Sequence, residues 1–261
     1  MLESLKARIR KRRQGIGMPR LLLYVFVYLL RKASFGTVGL DYRYILIQPV
    51  ADEPMLRGRA LRGIEMRTLT GADLRRAYEE DEGGAFSREP RDDARFYRRA
   101  DRGDVCFAAY RGSRAEGVLW LSFGRYDEPD VKADFLVRPA FGMAWDSNLY
   151  IVDDARGGML FAALWDAANA WLRQHGFHCI ATQTSAFNGP SLQAHSRMGA
   201  RRIARMIYFL CGPLHLTLTS LRPRVALLGP KASSPVYEIP AVAGENGGER
   251  GASQAHAAPR H

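Results

Sequence analysis

The chain has 261 residues, 47% of them apolar, enough for one large domain or one domain with appendages. Its three cysteines, Cys106, Cys179 and Cys211, are widely spread and form neither a disulfide framework nor a CxxC pair, which points to a reducing cytoplasm. The net charge of +11 is uneven: residues 1–32 hold nine basic residues against Glu3, so the remaining 229 carry only +3.

The basic head runs into an apolar stretch, Leu21–Leu30. Ten residues are half of what a bilayer crossing needs. The stretch lacks the small-residue cleavage site of a secretory signal. Two readings stand. Residues 1–32 lie on an anionic membrane surface with the arginines on headgroups, at the inner face of the membrane, or the apolar part docks on the core behind a solvated basic tail. Nucleic-acid binding finds no support, since no module for it appears.

Ile45–Val50 is a short apolar strand candidate and Arg57–Arg62 a basic linker. Ile64–Leu69 alternates as a strand, and Thr70–Glu82 reads as a helix ended by Gly83-Gly84. Arg91–Arg102 is a charged helix. Asp104–Tyr110 and Glu116–Phe123 form an antiparallel pair. Arg125–Gly142 is a long insert, either a substrate lid or a decorative loop.

Trp145–Val152 alternates, with Asp146, Asn148, Tyr150 and Val152 on one side. A turn follows, Asp153-Asp154-Ala155-Arg156-Gly157-Gly158, and then a helix, Met159–His175. Its apolar residues Leu160, Leu164, Ala168 and Leu172 recur every four positions, and Gly176 ends it. A strand feeding a glycine-bearing turn and a helix N-terminus is an anion site. The first helical N–H groups have no partner within the helix, the dipole adds positive potential, and Arg156 adds a fixed charge. Cys179–Thr184 is strand-like. Asn188 opens a second helix that closes at Met198-Gly199-Ala200. Arg201–Leu210 and Leu214–Leu218 are further strands. Past Pro230 the composition turns to Ala, Gly, Ser and Pro, and Ala241–His261 is expected to be disordered. The histidines show no metal-ligand spacing, so no metal is expected.

Four spacings from Arg156 carry a resemblance. Leu164 lies eight residues on, Gly176 twenty, Asn188 twelve after that, and Gly199 eleven further. With Arg156-Gly157, this segment resembles the GNAT acetyltransferase superfamily, most strongly over 156–199. The chain departs from the family pattern at Met159 and Phe161, where glycines are usual, and at Asp153, often a proline. It departs again at His195, seven residues after Asn188, where many members have a tyrosine.

The resemblance implies an α/β fold of α+β type, a splayed mixed sheet flanked by helices, over residues 60–222. Residues 1–59 would be an N-terminal extension and 223–261 a largely disordered tail. It implies acetyl transfer from acetyl-CoA to a small-molecule amine by direct attack, with the donor held by Ile151, Val152, Arg156, Gly157, Gly158, Met159, Leu160, Phe161 and Asn188. A backbone N–H near Ile151 would polarise the thioester carbonyl. His195, as an imidazolium, would protonate the leaving thiolate, Asp146 would deprotonate the incoming ammonium, and Tyr150 would line the site. His195 as a plain helix-surface residue and Asp146 as a structural carboxylate are the alternatives. Two other functions stay open: a membrane-associated transferase of longer acyl chains, and a binding module without turnover.

Overall fold

The computed structural model describes residues 17–57, 61–88, 93–156 and 159–241. The basic stretch 1–16 and most of the expected disordered tail, 242–261, lie outside the described residues.

The chain opens with α1 (Met18–Ala33), which has Pro19 in its first turn and no acidic residue, and continues into β1 (Val38–Pro49). Next come β2 (Glu65–Leu69), α2 (Gly71–Glu80), α3 (Ala85–Arg88) and α4 (Asp93–Arg102). A meander follows of β3 (Val105–Arg111) and β4 (Arg114–Ser122), then the short β5 (Arg125–Asp127) and β6 (Asp134–Leu136), then β7 (Met143–Ile151). The chain ends through α5 (Leu160–Gln174), β8 (Cys179–Ser185), α6 (Gly189–Arg197), β9 (Arg201–Cys211), β10 (Leu214–Thr219), β11 (Val225–Leu228) and β12 (Val236–Glu238).

The fold is mixed α/β. Nine strands form one sheet in the order β11-β10-β9-β1-β8-β7-β4-β3-β2, and β12-β6-β5 form a second, small sheet. Among the described residues of the large sheet only β7 and β8 run parallel, because α5 carries the chain back between them. On one face α2, α3 and α4 pack on β3 and β4 around Phe86, Phe96 and Trp120. On the other, α5 sets Leu164, Trp165 and Ala168 against Phe107, Leu119, Leu121, Ala144 and Ile180. Gly176 ends α5 with φ +78°, in the left-handed region that favours glycine.

The strand candidate Ile45–Val50 is longer than its apolar run and lies inside the sheet. β1 pairs with β8 on one side and with β9 on the other. Tyr44, Ile45, Leu46 and Ile47 are all buried, so this interior strand reads as a continuous apolar run instead of an alternation. A central strand of the sheet thus comes from the segment that the sequence sets apart as an N-terminal extension. The apolar stretch Leu21–Leu30 forms most of α1. It packs Leu21 and Tyr24 inward, with Tyr24 5.6 Å from the ring of Phe187.

The insert 125–142 is a folded layer. Phe135 stacks on Trp145 at 4.7 Å, and Arg43 on β1 ties Glu128 (3.0 Å) and Asp130 (3.3 Å) to the sheet. β12, from the stretch expected to be a disordered tail, completes the layer by pairing parallel to β6 with Tyr237 fully buried. Three alternating residues are too short a pattern to stand out in a sequence.

Candidate active site

Two irregularities in β7 create the site. The first is a bulge. Trp120 pairs with Asn148 and Leu121 with Asp146, which leaves Ser147 as an extra residue on β7. A bulge of this kind bends its strand and sharpens the local twist. The second is a parting of strands. β7 pairs with β8 only from Met143↔Cys179 to Asp146↔Thr182, although both strands run on, to Ile151 and Ser185. Beyond Asp146 a wedge opens between them.

The backbone of β7 points donors into that wedge. Val152 N–H donates to the Glu116 carbonyl at 3.0 Å, so residue 152 faces β4. In an antiparallel ladder the facing direction alternates. The N–H groups of Ile151 and Leu149 therefore point away from β4, toward the part of β8 that β7 no longer pairs. The donor that the resemblance implies near Ile151 would be one of these two N–H groups.

Asp146 sits at the apex of the wedge, 8% exposed. Its neighbours in register, Leu121 and Thr182, place it on the α5 side of the sheet; the Ser147 bulge thus sets it on the face opposite Tyr150 and Val152, which pack with Trp120, and not on the one side that plain alternation predicts. Burial pushes its carboxyl up to about 7, against the opposing pull of the Thr182 hydroxyl and the Arg99 charge. Such a group exchanges a proton near neutrality, which is what a general base for an ammonium requires.

The turn after β7 is held by charge. Arg114 grips Asp154 at 3.0 Å, which lowers the Asp154 pKa. Arg156 folds back along the strand. Its Nε donates to the Ile151 carbonyl at 2.9 Å, its guanidinium meets Asp153 at 2.5 Å, and it lies 5.7 Å from the Tyr150 ring. Arg156, Tyr150 and Ile151 thus come together at the mouth of the wedge, next to buried Val152. Gly157 and Gly158 lie outside the described residues. Met159 caps α5 and is exposed, Leu160 is buried in the core beneath the helix, and Phe161 packs on Trp165. A cleft of about 290 Å³ adjoins this helix start, lined by Met159 and Leu160, by Arg62 and Arg111, and by two carboxylates, Glu116, which pairs with Arg111 at 2.8 Å, and Asp154.

Asn188 is the N-cap of α6, its Oδ1 accepting from Ser191 N–H at 3.4 Å. His195 is not on the helix surface. It is 6% exposed, its Nδ1 lies 2.8 Å from Gln48 Oε1, and its ring stands edge-on to Trp165. Burial pushes the imidazole down to about 4. The imidazolium that the sequence suggests is therefore not the resting form at neutral pH, because a buried ring without an anionic partner sheds its proton.

No family model matches the chain, and no curated protein matches it. Solved structures similar to it include a GCN5-related N-acetyltransferase from Sphaerobacter thermophilus, at 17% identity and a TM-score of 0.43 over 78% of this chain and 57% of that one. A GNAT-family protein from Novosphingobium aromaticivorans gives 17% and 0.43 over 66% and 65%. An aminoglycoside acetyltransferase from an uncultured soil metagenomic sample gives 14% and 0.36 over 52% and 87%.

Three members of the constellation carry no signal in the sequence. Gln48 meets His195 from 147 residues away, Thr182 gains meaning only from its place opposite Asp146, and the charge of Arg99 on α4 acts on Asp146.

Proposed function

We propose that the chain moves an acyl group, most simply acetyl, from an acyl-coenzyme A to an amine by direct attack. The observation that carries this reading is the wedge between β7 and β8, with two backbone donors facing into it and a carboxyl that titrates near neutrality at its apex. The wedge accepts an extended thioester arm. The Ile151 N–H is aimed where carbonyl charge develops. Asp146 takes the ammonium proton and frees the lone pair for attack; as the C–N bond forms the C–S bond breaks, and the departing coenzyme A thiolate takes up the second proton that the nitrogen sheds, leaving as the free thiol. The turn at Arg156, together with the start of α5, holds the donor's pyrophosphate. His195 serves as a neutral ring that seats α6 on β1 and α5.

Calorimetric titration with acetyl-CoA, followed by thiol release across a panel of amines, tests the reading. Micromolar binding that weakens about tenfold in Arg156→Ala, a loss of about 1.4 kcal/mol, supports it. A folded protein that binds no acyl-CoA overturns it.

A further inference from the structure

Strands β9, β10 and β11 break the usual rule for an antiparallel sheet, in which one face is apolar and the other polar. Their inner face is buried through Met206, Tyr208, Thr217 and Leu228. Their outer face is apolar as well. Leu216 stands between Phe209 and Leu227, and Leu218 between Ile207 and Val225. Leu227 is 71% exposed and Val225 61%.

A second apolar surface adjoins this one. Met18, Leu22, Phe26 and Leu29 follow one stripe of α1 and are all exposed. The two lie on the same side of the molecule. Phe209 is opposite Leu40 on β1 and Ile207 is opposite Tyr42. Tyr42 packs on Phe187, which packs on Tyr24 of α1. Among the described residues nothing covers these side chains, and contiguous exposed apolar surface marks a docking site.

Charge identifies the occupant. Residues 18–40 and 201–235 hold nine Lys and Arg and no Asp or Glu. Arg20 and Arg202 both lie over the Tyr44 ring, beside the apolar face. A second copy would set these arginines against their own kind. Residues 242–261 contain one large aliphatic residue, Val242, and no aromatic, too little to cover the face. Among the described residues no helix is long and apolar enough to cross a membrane. We infer that α1 and the outer face of β9–β11 together form an interfacial docking surface for an anionic lipid bilayer, with apolar side chains entering the acyl boundary and arginines on the headgroups.

Flotation of the full chain with vesicles tests this, using phosphatidylcholine alone and phosphatidylcholine mixed with phosphatidylglycerol. The expected result is binding to the anionic vesicles, weakened by salt and weakened about tenfold or more in Phe26→Glu and in Leu227→Glu. Val236→Glu, at an exposed apolar residue of the small sheet, which packs through Phe135 and Tyr237 on the opposite face of the large sheet, should bind as the parent does. All three sites are exposed, and circular dichroism checks each fold. Failure to float with anionic vesicles overturns the inference, as does binding that Phe26→Glu and Leu227→Glu leave intact. A solution dimer dissolved by Leu227→Glu would give the face to a second copy. Flotation gained only on deleting 242–261 would give it to that segment. Either result overturns the lipid assignment.

Discussion

His195 on α6 and Gln48 on β1 meet through a 2.8 Å hydrogen bond beneath the edge of Trp165. The contact joins the second helix of the proposed donor site to a strand from the other end of the chain. Burial, with no anion among the described residues facing the ring, keeps the imidazole neutral.

That environment gives stability a pH dependence of known sign. The unfolded ring titrates near 6.5 and the folded one near 4, so the unfolded state binds more protons between those values. The His195 contribution is complete above pH 6.5 and is lost as pH falls through 4. Urea denaturation of parent and His195→Gln at pH 7.5 and pH 4 should show the gap between them narrowing by on the order of 3 kcal/mol.

Asp146 acts with the opposite sign. Its folded pKa of about 7 lies above the unfolded value, so stability is greatest at low pH and falls as pH rises from about 4 to 7. Asp146→Asn should be more stable than the parent at pH 8, by a few kcal/mol, and lose that advantage toward pH 4. The same change should cost roughly 10²-fold or more in turnover if the carboxylate is the base. In the parent, kcat/KM should rise with pH through about 7. A stabilised variant with undiminished turnover would remove Asp146 from the chemistry.

Arg156 is held by Asp153 at 2.5 Å, and a phosphate must compete with that carboxylate. Asp153→Asn should therefore tighten acetyl-CoA binding several-fold, while Arg156→Ala loosens it about tenfold. Calorimetry on both variants separates a phosphate-binding arginine from one that only pins the turn. In the second case both variants would weaken binding or neither would change it.

Ile45 is fully buried at the centre of β1. Ile45→Ala should destabilise the protein by about 2–5 kcal/mol, measured by thermal or chemical unfolding. Removing residues 1–60 should abolish folding, because β8 and β9 would each lose a full-length partner.

The sequence shows most of the elements around the candidate site. The helix expected over 159–175 spans Leu160–Gln174, and the strand expected over 179–184 spans Cys179–Ser185. Both are long and strongly patterned, and a glycine or a cap marks their ends. What the sequence hides is tertiary. Nothing local places β1 between β8 and β9, makes Ser147 a bulge, or buries His195. Each of those depends on a partner far along the chain. The apolar stretch Leu21–Leu30 was legible as apolar, but only its helical phase shows that one stripe packs and another faces outward.

The position of β1 also sets an order of events during synthesis. Arg43 finds Gln183 across 140 residues, and the register that surrounds this pair needs β8 and β9 in place. A chain emerging from its N-terminus must carry the Tyr44–Ile47 run unpaired until those strands arrive. Such non-local closure slows folding and lengthens the time in which an apolar edge is open to the wrong neighbour. In a nascent chain this strand, more than any loop of the finished protein, is where a chaperone would be expected to bind.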